Sequence, residues 1–305
     1  MFKKLFLLFL LLCTFLYAKE NPSKEWLNLQ SGRIRVFFHD KDFNAAKKYL
    51  KISVESSERM AKRLGASFTE EVRIVIAGSQ KEFNKLTGGV IPEWGAGAAR
   101  PADRLIIVKS PSFYEGTKSA EKVITHELSH ILLAYLTGNR IIERWFDEGL
   151  AQYQSGEGGI NSIVSIGRAV VTNNLIPLDN IDYVLQFQRE KASLAYAESR
   201  AAVDFIVRTG GQKSIRNLLS EMSAGKNLND AIYSEMKMNV QDFQNEFFAD
   251  IKRRYKWAIL LDTRLIISLL FIVFFMAAYL NFLRKKREYK DDYEIEDSDE
   301  DTPWY

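Results

Sequence analysis

Val123-Ile124-Thr125-His126-Glu127-Leu128-Ser129-His130-Ile131-Leu132-Leu133 is the stretch around which the chain is organised. A helix brings residues four apart onto one face, so His126 and His130 can aim both imidazoles at one metal ion. Glu127 stands beside the first of them, where its carboxylate can serve as a general base. Ile124, Leu128, Ile131 and Tyr135 recur at helical spacing and predict the buried face of a helix from about Ser119 to Leu136, stopped by Gly138.

A second stretch follows, Arg144-Trp145-Phe146-Asp147-Glu148-Gly149-Leu150-Ala151-Gln152-Tyr153. Two histidines and one glutamate are a known ligand set for a catalytic zinc, which leaves its fourth position open. With H-E-L-S-H followed by W-F-D-E-G-L-A-Q-Y, the chain resembles the zincin metallopeptidases with a glutamate third ligand, and among them the peptidase-MA-like group. The resemblance implies that Glu148, opening a second helix, is the third ligand of Zn²⁺. It covers roughly residues 90–255. Two departures are visible: the 17 residues between His130 and Glu148 are slightly fewer than in better-known relatives, and Arg144 stands where the family often has proline.

Upstream, Arg33–His39 and Val72–Ile76 are rich in β-branched and aromatic residues and read as strands. A helix is expected between them, Asp42 to Leu64, ending at Gly65, and a short one after Gly78-Ser79. His39 reads as a solvated loop histidine rather than an active-site donor. Trp94–Ala99, a turn at Arg100–Asp103 and Arg104–Lys109 read as a hairpin. It resembles the edge strand that, in zincins, holds substrate in extended form by main-chain hydrogen bonds.

Downstream, the region to Gln188 is weakly patterned, with Pro177 closing a short helix, and is assigned in part to the rim of a substrate cleft. Ala195-Tyr196-Ala197-Glu198-Ser199 opens a helix through Val207, and the resemblance extends to it. Tyr196 is the candidate oxyanion donor, with Tyr153 the alternative. Asp147, next to the ligand, is a candidate orienter of a ligand. Helices at about Ser214–Met222, Leu228–Met236 and Val240–Tyr255 complete a helical second half.

Of the 305 residues, 47% are hydrophobic and 27% charged, as in folded proteins. A formal charge of +3 and the lack of a basic, aromatic-laced patch argue against nucleic acid as a partner. Residues 1–18, with Lys3 and Lys4 before an apolar run, read as a signal peptide. The single cysteine, Cys13, falls within it, so the mature chain has no thiol chemistry and metal ligation rests on histidine and carboxylate. Leu265 to Leu283 is free of charge and long enough to span a bilayer, and Arg284-Lys285-Lys286-Arg287 follows at once. Residues 285–305 then form an acidic tail, expected to be solvated and disordered on the cytoplasmic side.

The expected architecture is α+β, with a signal peptide (1–18), a zincin-like peptidase domain (22–256) of a small mixed α/β half plus a helical half, one transmembrane helix (262–284) and the tail. The implied function is a single-pass zinc metallopeptidase acting on peptide or protein substrates on the extracytoplasmic side of the cell membrane. His126, His130 and Glu148 would hold the metal, with Glu127 and Tyr196 catalytic. A non-catalytic assembly factor with the same fold, or a hydrolase of a non-peptide amide, are the competing readings.

Overall fold

In a computed structural model of the chain, residues 26–66, 69–93, 95–114, 116 and 118–299 are described. The signal-peptide assignment and Trp94 lie outside them. Contacts divide the chain into two units, one reaching Gly158 and resuming at Ile176–Phe247, the other comprising Gly159–Leu175 and the chain from Phe248.

The first unit begins with a five-stranded sheet of order β1-β2-β3-β5-β4. Its strands are β1 (Leu27–Ser31), β2 (Ile34–Phe38), β3 (Val72–Ala77), β4 (Gly97–Arg100) and β5 (Leu105–Lys109). The central pairs β2–β3 and β3–β5 are parallel, and the outer pairs are antiparallel. Helix α1 (Phe43–Leu64) makes the crossover between β2 and β3, as parallel neighbours require. Gly65 ends it at φ 73°, a backbone conformation that glycine adopts without a Cβ penalty. The register sets Val36, Ile74 and Ile106 side by side on one face, all buried. On the other face Ala77 and Ile107 pack with Phe83 of α2 (Gln80–Thr87), whose first turn is capped by the Ser79 hydroxyl.

β4 is at the edge of the sheet, as the hairpin reading required, and no strand pairs with its outer side among the described residues. β1, Leu27-Asn28-Leu29-Gln30-Ser31, alternates over too few residues to be read as a strand, and four of its five positions, Leu27 among them, are open to solvent. His39 is not solvated. Its ring is buried, stacks on Trp26 at 4.2 Å and lies 2.9 Å from Glu82 Oε1, so burial and a carboxylate partner replace the expected water.

The helical half is built from α3 (Ala120–Leu136), α4 (Arg144–Ser155), α6 (Arg189–Gly210), α7 (Ser214–Ser223), α8 (Leu228–Met236) and the start of α9 (Val240–Tyr255). Trp145, Phe146, Phe205, Phe243 and Phe247 form an aromatic cluster with centroids 5.7–6.3 Å apart, the range of favourable ring pairs. Residues 178–186 form 3-10 turns that Pro177 opens rather than closes, since proline fits the start of a helical turn and not its end.

The second unit contains α5 (Ile160–Val171), the 3-10 turn Lys256–Leu261 and α10 (Thr263–Asp299). Gly167 lets α5 approach this turn; a Cβ there would stand 2.8 Å from the Ala258 Cβ. Within α10, Leu265–Arg287 is a candidate membrane span by length and composition, with a mean hydropathy of 2.4 over its apolar 18-residue window. The helix continues to Asp299, through part of the tail expected to be disordered, a stretch rich in Glu, Asp and Lys and free of Gly and Pro.

One buried carboxyl lies away from the metal-type residues. Glu198 in α6 has no exposed surface, and the Ile176 backbone N–H donates to it at 3.0 Å. Burial raises its pKa to about 8, opposed in part by that N–H. A folded-state pKa above the unfolded one gives stability that is fully present below the usual carboxylate range and lost as pH rises through about 8. Glu198→Gln keeps an acceptor for Ile176 without the charge. Its melting temperature should therefore gain on that of wild type between about pH 6 and about pH 9. Parallel melting curves for the two proteins across that range would contradict the assignment.

Candidate metal site

The site is assembled by two consecutive helices. α3 is capped by Ser119 and anchored to α1 by a 2.8 Å hydrogen bond between the buried hydroxyls of Ser56 and Thr125. Thr125 precedes His126, so this contact fixes the helix rotation at the ligand-type face. α4 begins at Arg144, whose backbone N–H donates to Asp182 Oδ1 at 2.8 Å. Glu148 therefore lies in its second turn rather than opening the helix, because Arg144-Trp145-Phe146-Asp147 already have helical backbone.

Glu148 is followed by Gly149 for a steric reason. A Cβ at Gly149 would stand 2.3 Å from the Ser199 carbonyl oxygen, so α4 and α6 touch backbone to backbone there. Gln152 Nε2 donates to the Tyr196 carbonyl at 3.0 Å and extends the same seam.

One donor atom each from His126, His130 and Glu148 lie within 4.8 Å of one another, a group that could hold a metal ion. Glu148 Oε2 is 3.4 Å from His126 Nε2 and 3.9 Å from His130 Nε2. Ligands at the bond lengths of tetrahedral zinc sit about 3.3 Å apart, so the three donors are close to the spacing such a cation needs.

The far side of each imidazole meets a carboxylate. His130 Nδ1 donates to Asp147 Oδ1 at 2.6 Å, the contact expected from sequence proximity. His126 Nδ1 lies 2.8 Å from Glu157 Oε1, off the line of the ring N–H. Glu157 is buried and is paired in turn with Lys118 Nζ at 2.5 Å. With a carboxylate at each Nδ1, both Nε2 atoms are left to face Glu148, the arrangement that outer-shell acids give to metal-ligating histidines. Glu157 was not anticipated. It lies nine positions beyond Glu148 and past the turn at Gly156, where helical spacing gives no signal.

Around this point Glu127, Glu148, Asp147 and Glu157 face the cations of Arg144 and Lys118, a formal −2 with both imidazoles neutral. A divalent cation cancels that charge. In its absence the histidines take up the role: burial lowers the His126 pKa, but Glu148 and Glu157 outweigh it and raise it to about 10. His130 is raised as well, burial being overcome chiefly by Asp147. Glu148 is held well below the usual carboxylate range, its burial outweighed by the two histidines and Arg144, and Glu157 is lowered to about 2 against its own burial, mainly by His126.

Glu127 is buried beside the ligand-type residues, and burial raises its pKa. The edge strand crosses directly above it: a Cβ at Gly97 would meet Glu127 Oε1 at 3.0 Å. Tyr196 is half-buried and close enough to Glu148, Arg144 and Glu127 to feel all three; burial, then Glu148, raise its phenol to about 12, so it stays a protonated donor. Tyr153 turns instead to the Arg63 guanidinium, 5.9 Å from its ring. The structure thus brings His126, Glu127, His130, Glu148, Asp147 and Tyr196 together, adds Arg144 and Glu157, and leaves Tyr153 and His39 on other contacts.

A mixed sheet with an open edge, a helix bearing two imidazoles beneath it, and a glutamate on the next helix make this an α+β protein of zincin-like class. Residues 53–253 match the Peptidase MA superfamily, and the chain belongs to it. No curated protein matches the sequence significantly. Among solved structures, native yeast LTA4 hydrolase is similar at 11% identity and a TM-score of 0.45, over 74% of this chain and 38% of that one. Yeast LTA4 hydrolase in complex with bestatin is similar at 13% identity and a TM-score of 0.43, over 76% and 38%. The chain thus spans little more than a third of the length of those enzymes.

Loss of the acid behind a ligand histidine typically weakens metal binding about 10–100-fold. Glu157→Gln is expected to do so here, measured by competition with a chelator. Unchanged affinity would make Glu157 a partner of Lys118 alone.

Proposed function

We propose that the protein is a membrane-anchored zinc metallopeptidase that hydrolyses peptide bonds on the extracytoplasmic side. The observation that carries this reading is the convergence of His126, His130 and Glu148 donors within 4.8 Å, with the Glu127 carboxylate buried beside them under the edge strand. In this reading residues 22–256 form the peptidase domain, and the H-E-x-x-H pair with the glutamate of the following helix is the ligand set. Zn²⁺ held by these three groups would supply a Lewis acid that polarises the scissile carbonyl and acidifies water.

The chain's own residues do the rest. Glu127 takes the proton of the attacking water and hands it to the leaving amine. Its position under β4 matters, because an extended peptide added to that edge by main-chain hydrogen bonds runs past the carboxylate. Gly97 keeps the strand close enough for this. The Tyr196 phenol donates a hydrogen bond to the oxygen that gains charge as the carbonyl is attacked. Asp147 and Glu157 hold the two imidazoles by their Nδ1 atoms, so that neither ring must reorient during turnover.

Anchoring is assigned to Leu265–Arg287, which is long and apolar and wholly unburied within the chain. The orientation in this reading, peptidase domain outside and acidic tail inside, rests mainly on the N-terminal leader, because Lys252, Arg253, Arg254 and Lys256 on the other side of the span offset the basic run Arg284–Arg287.

Glu127→Gln keeps the size of the side chain and removes only the base. Peptide hydrolysis should fall by about 10²–10⁴-fold with zinc content and thermal stability nearly unchanged. Both proteins would be assayed on a mixed peptide library, with zinc measured in the same samples. Equal cleavage by the two would remove Glu127 from the chemistry. Zinc bound without cleavage by either would favour the non-catalytic assembly factor.

A further inference from the structure

Glu148 divides its two oxygens between different partners. Oε2 faces the two histidine Nε2 atoms, at 3.4 and 3.9 Å. Oε1 is taken by Arg144, whose Nη2 lies 2.7 Å away, one helical turn earlier. The Tyr196 phenol lies close enough to the same guanidinium for its charge to be felt. Arg144 is itself fixed from behind, because its backbone N–H donates to Asp182 and the next two side chains, Trp145 and Phe146, are buried. Its Nε is buried without a hydrogen-bond partner, and its Nη2 is directed to Glu148.

A carboxylate can bind a cation through one oxygen or through both. Two-oxygen binding adds a fourth protein atom, which makes five ligands with the water retained and crowds the position that a catalytic site keeps open. A guanidinium in close ion-pair contact with the second oxygen opposes this, because a cation already occupies the place where the metal would engage that oxygen. It also supplies the partner that a buried carboxylate needs before any metal arrives.

We propose that Arg144 is a positioning residue that holds Glu148 Oε1 and so makes Glu148 a one-oxygen ligand through Oε2. The inference rests on the metal site proposed above and goes beyond it, because it assigns the coordination mode to a residue that touches no ligand-binding atom. It also gives a reason for arginine at a position where the family the sequence resembles often has proline: proline supplies the helix start but has nothing to reach Glu148.

The test uses the full chain loaded with Co²⁺, whose visible spectrum reports coordination number through a strong absorption for four ligands and a weaker one for five or six. Wild type, Arg144→Lys and Arg144→Met are compared. Wild type and the lysine variant, which keeps a cation at Oε1, should share the strong absorption. The methionine variant should lose it. It should also bind Co²⁺ at least as tightly in competition with a chelator, because a positive charge is gone and a second oxygen is free. Should the methionine variant not fold, Arg144→Gln replaces it with the same expectation, since it too leaves Glu148 without a charged partner. Three identical spectra with cobalt bound would overturn the clamp and leave the metal site standing. Weaker cobalt binding in the neutral variant with an unchanged spectrum would likewise reduce Arg144 to an ordinary structural contact. No cobalt uptake by wild type would overturn both the metal site and the clamp built on it.

Discussion

Four carboxylates gathered around two imidazoles in a largely buried space are the constraint on which the rest of the protein depends. Like charges at such distances repel strongly where water is scarce, so each acid needs a partner of its own. Asp147 has His130, Glu157 has His126 and Lys118, and Glu148 has Arg144 together with both rings. The excess of two negative charges remains for a divalent cation. Such an arrangement is costly to bury for stability alone and is intelligible as a metal site.

The fold serves this cluster by close backbone approaches at two glycines. Gly149, beside Glu148, admits α6 to within contact of α4, which is what brings Tyr196 to the ligand-type residues. Gly97 admits the edge strand to Glu127. An alanine at either place would require backbone or the carboxylate itself to shift, so packing and chemistry meet at the same two positions. The buried faces of the sheet and the aromatic cluster of the helical half, Phe146, Phe205, Phe243 and Phe247, give the two helices a rigid footing.

Much of this was legible in the sequence because the signals are local. His126 and His130 stand one turn apart, the strands are β-branched runs, and α1 ends on a glycine; each is a short-range pattern with one physical meaning. What escaped is long-range. Glu157 reaches His126 only after a helix end and a turn, and Arg144 is set at the start of its helix by Asp182, 38 positions later in the chain. His39 looked like a loop residue because its partners, Trp26 and Glu82, come from separate elements. β1 escaped because its Leu-Asn-Leu-Gln alternation is short and it lacks β-branched or aromatic residues, and the helical turns after Pro177 were misplaced because proline can open a turn as well as end one.

The central claim is that three side chains hold a catalytic zinc. Elemental analysis of the purified full chain tests it most directly. The account predicts about one zinc per chain in wild type and a sharp loss in Glu148→Ala with helical content retained. Wild type that carries no zinc and takes none up from solution, or a Glu148→Ala protein with full zinc, would contradict it.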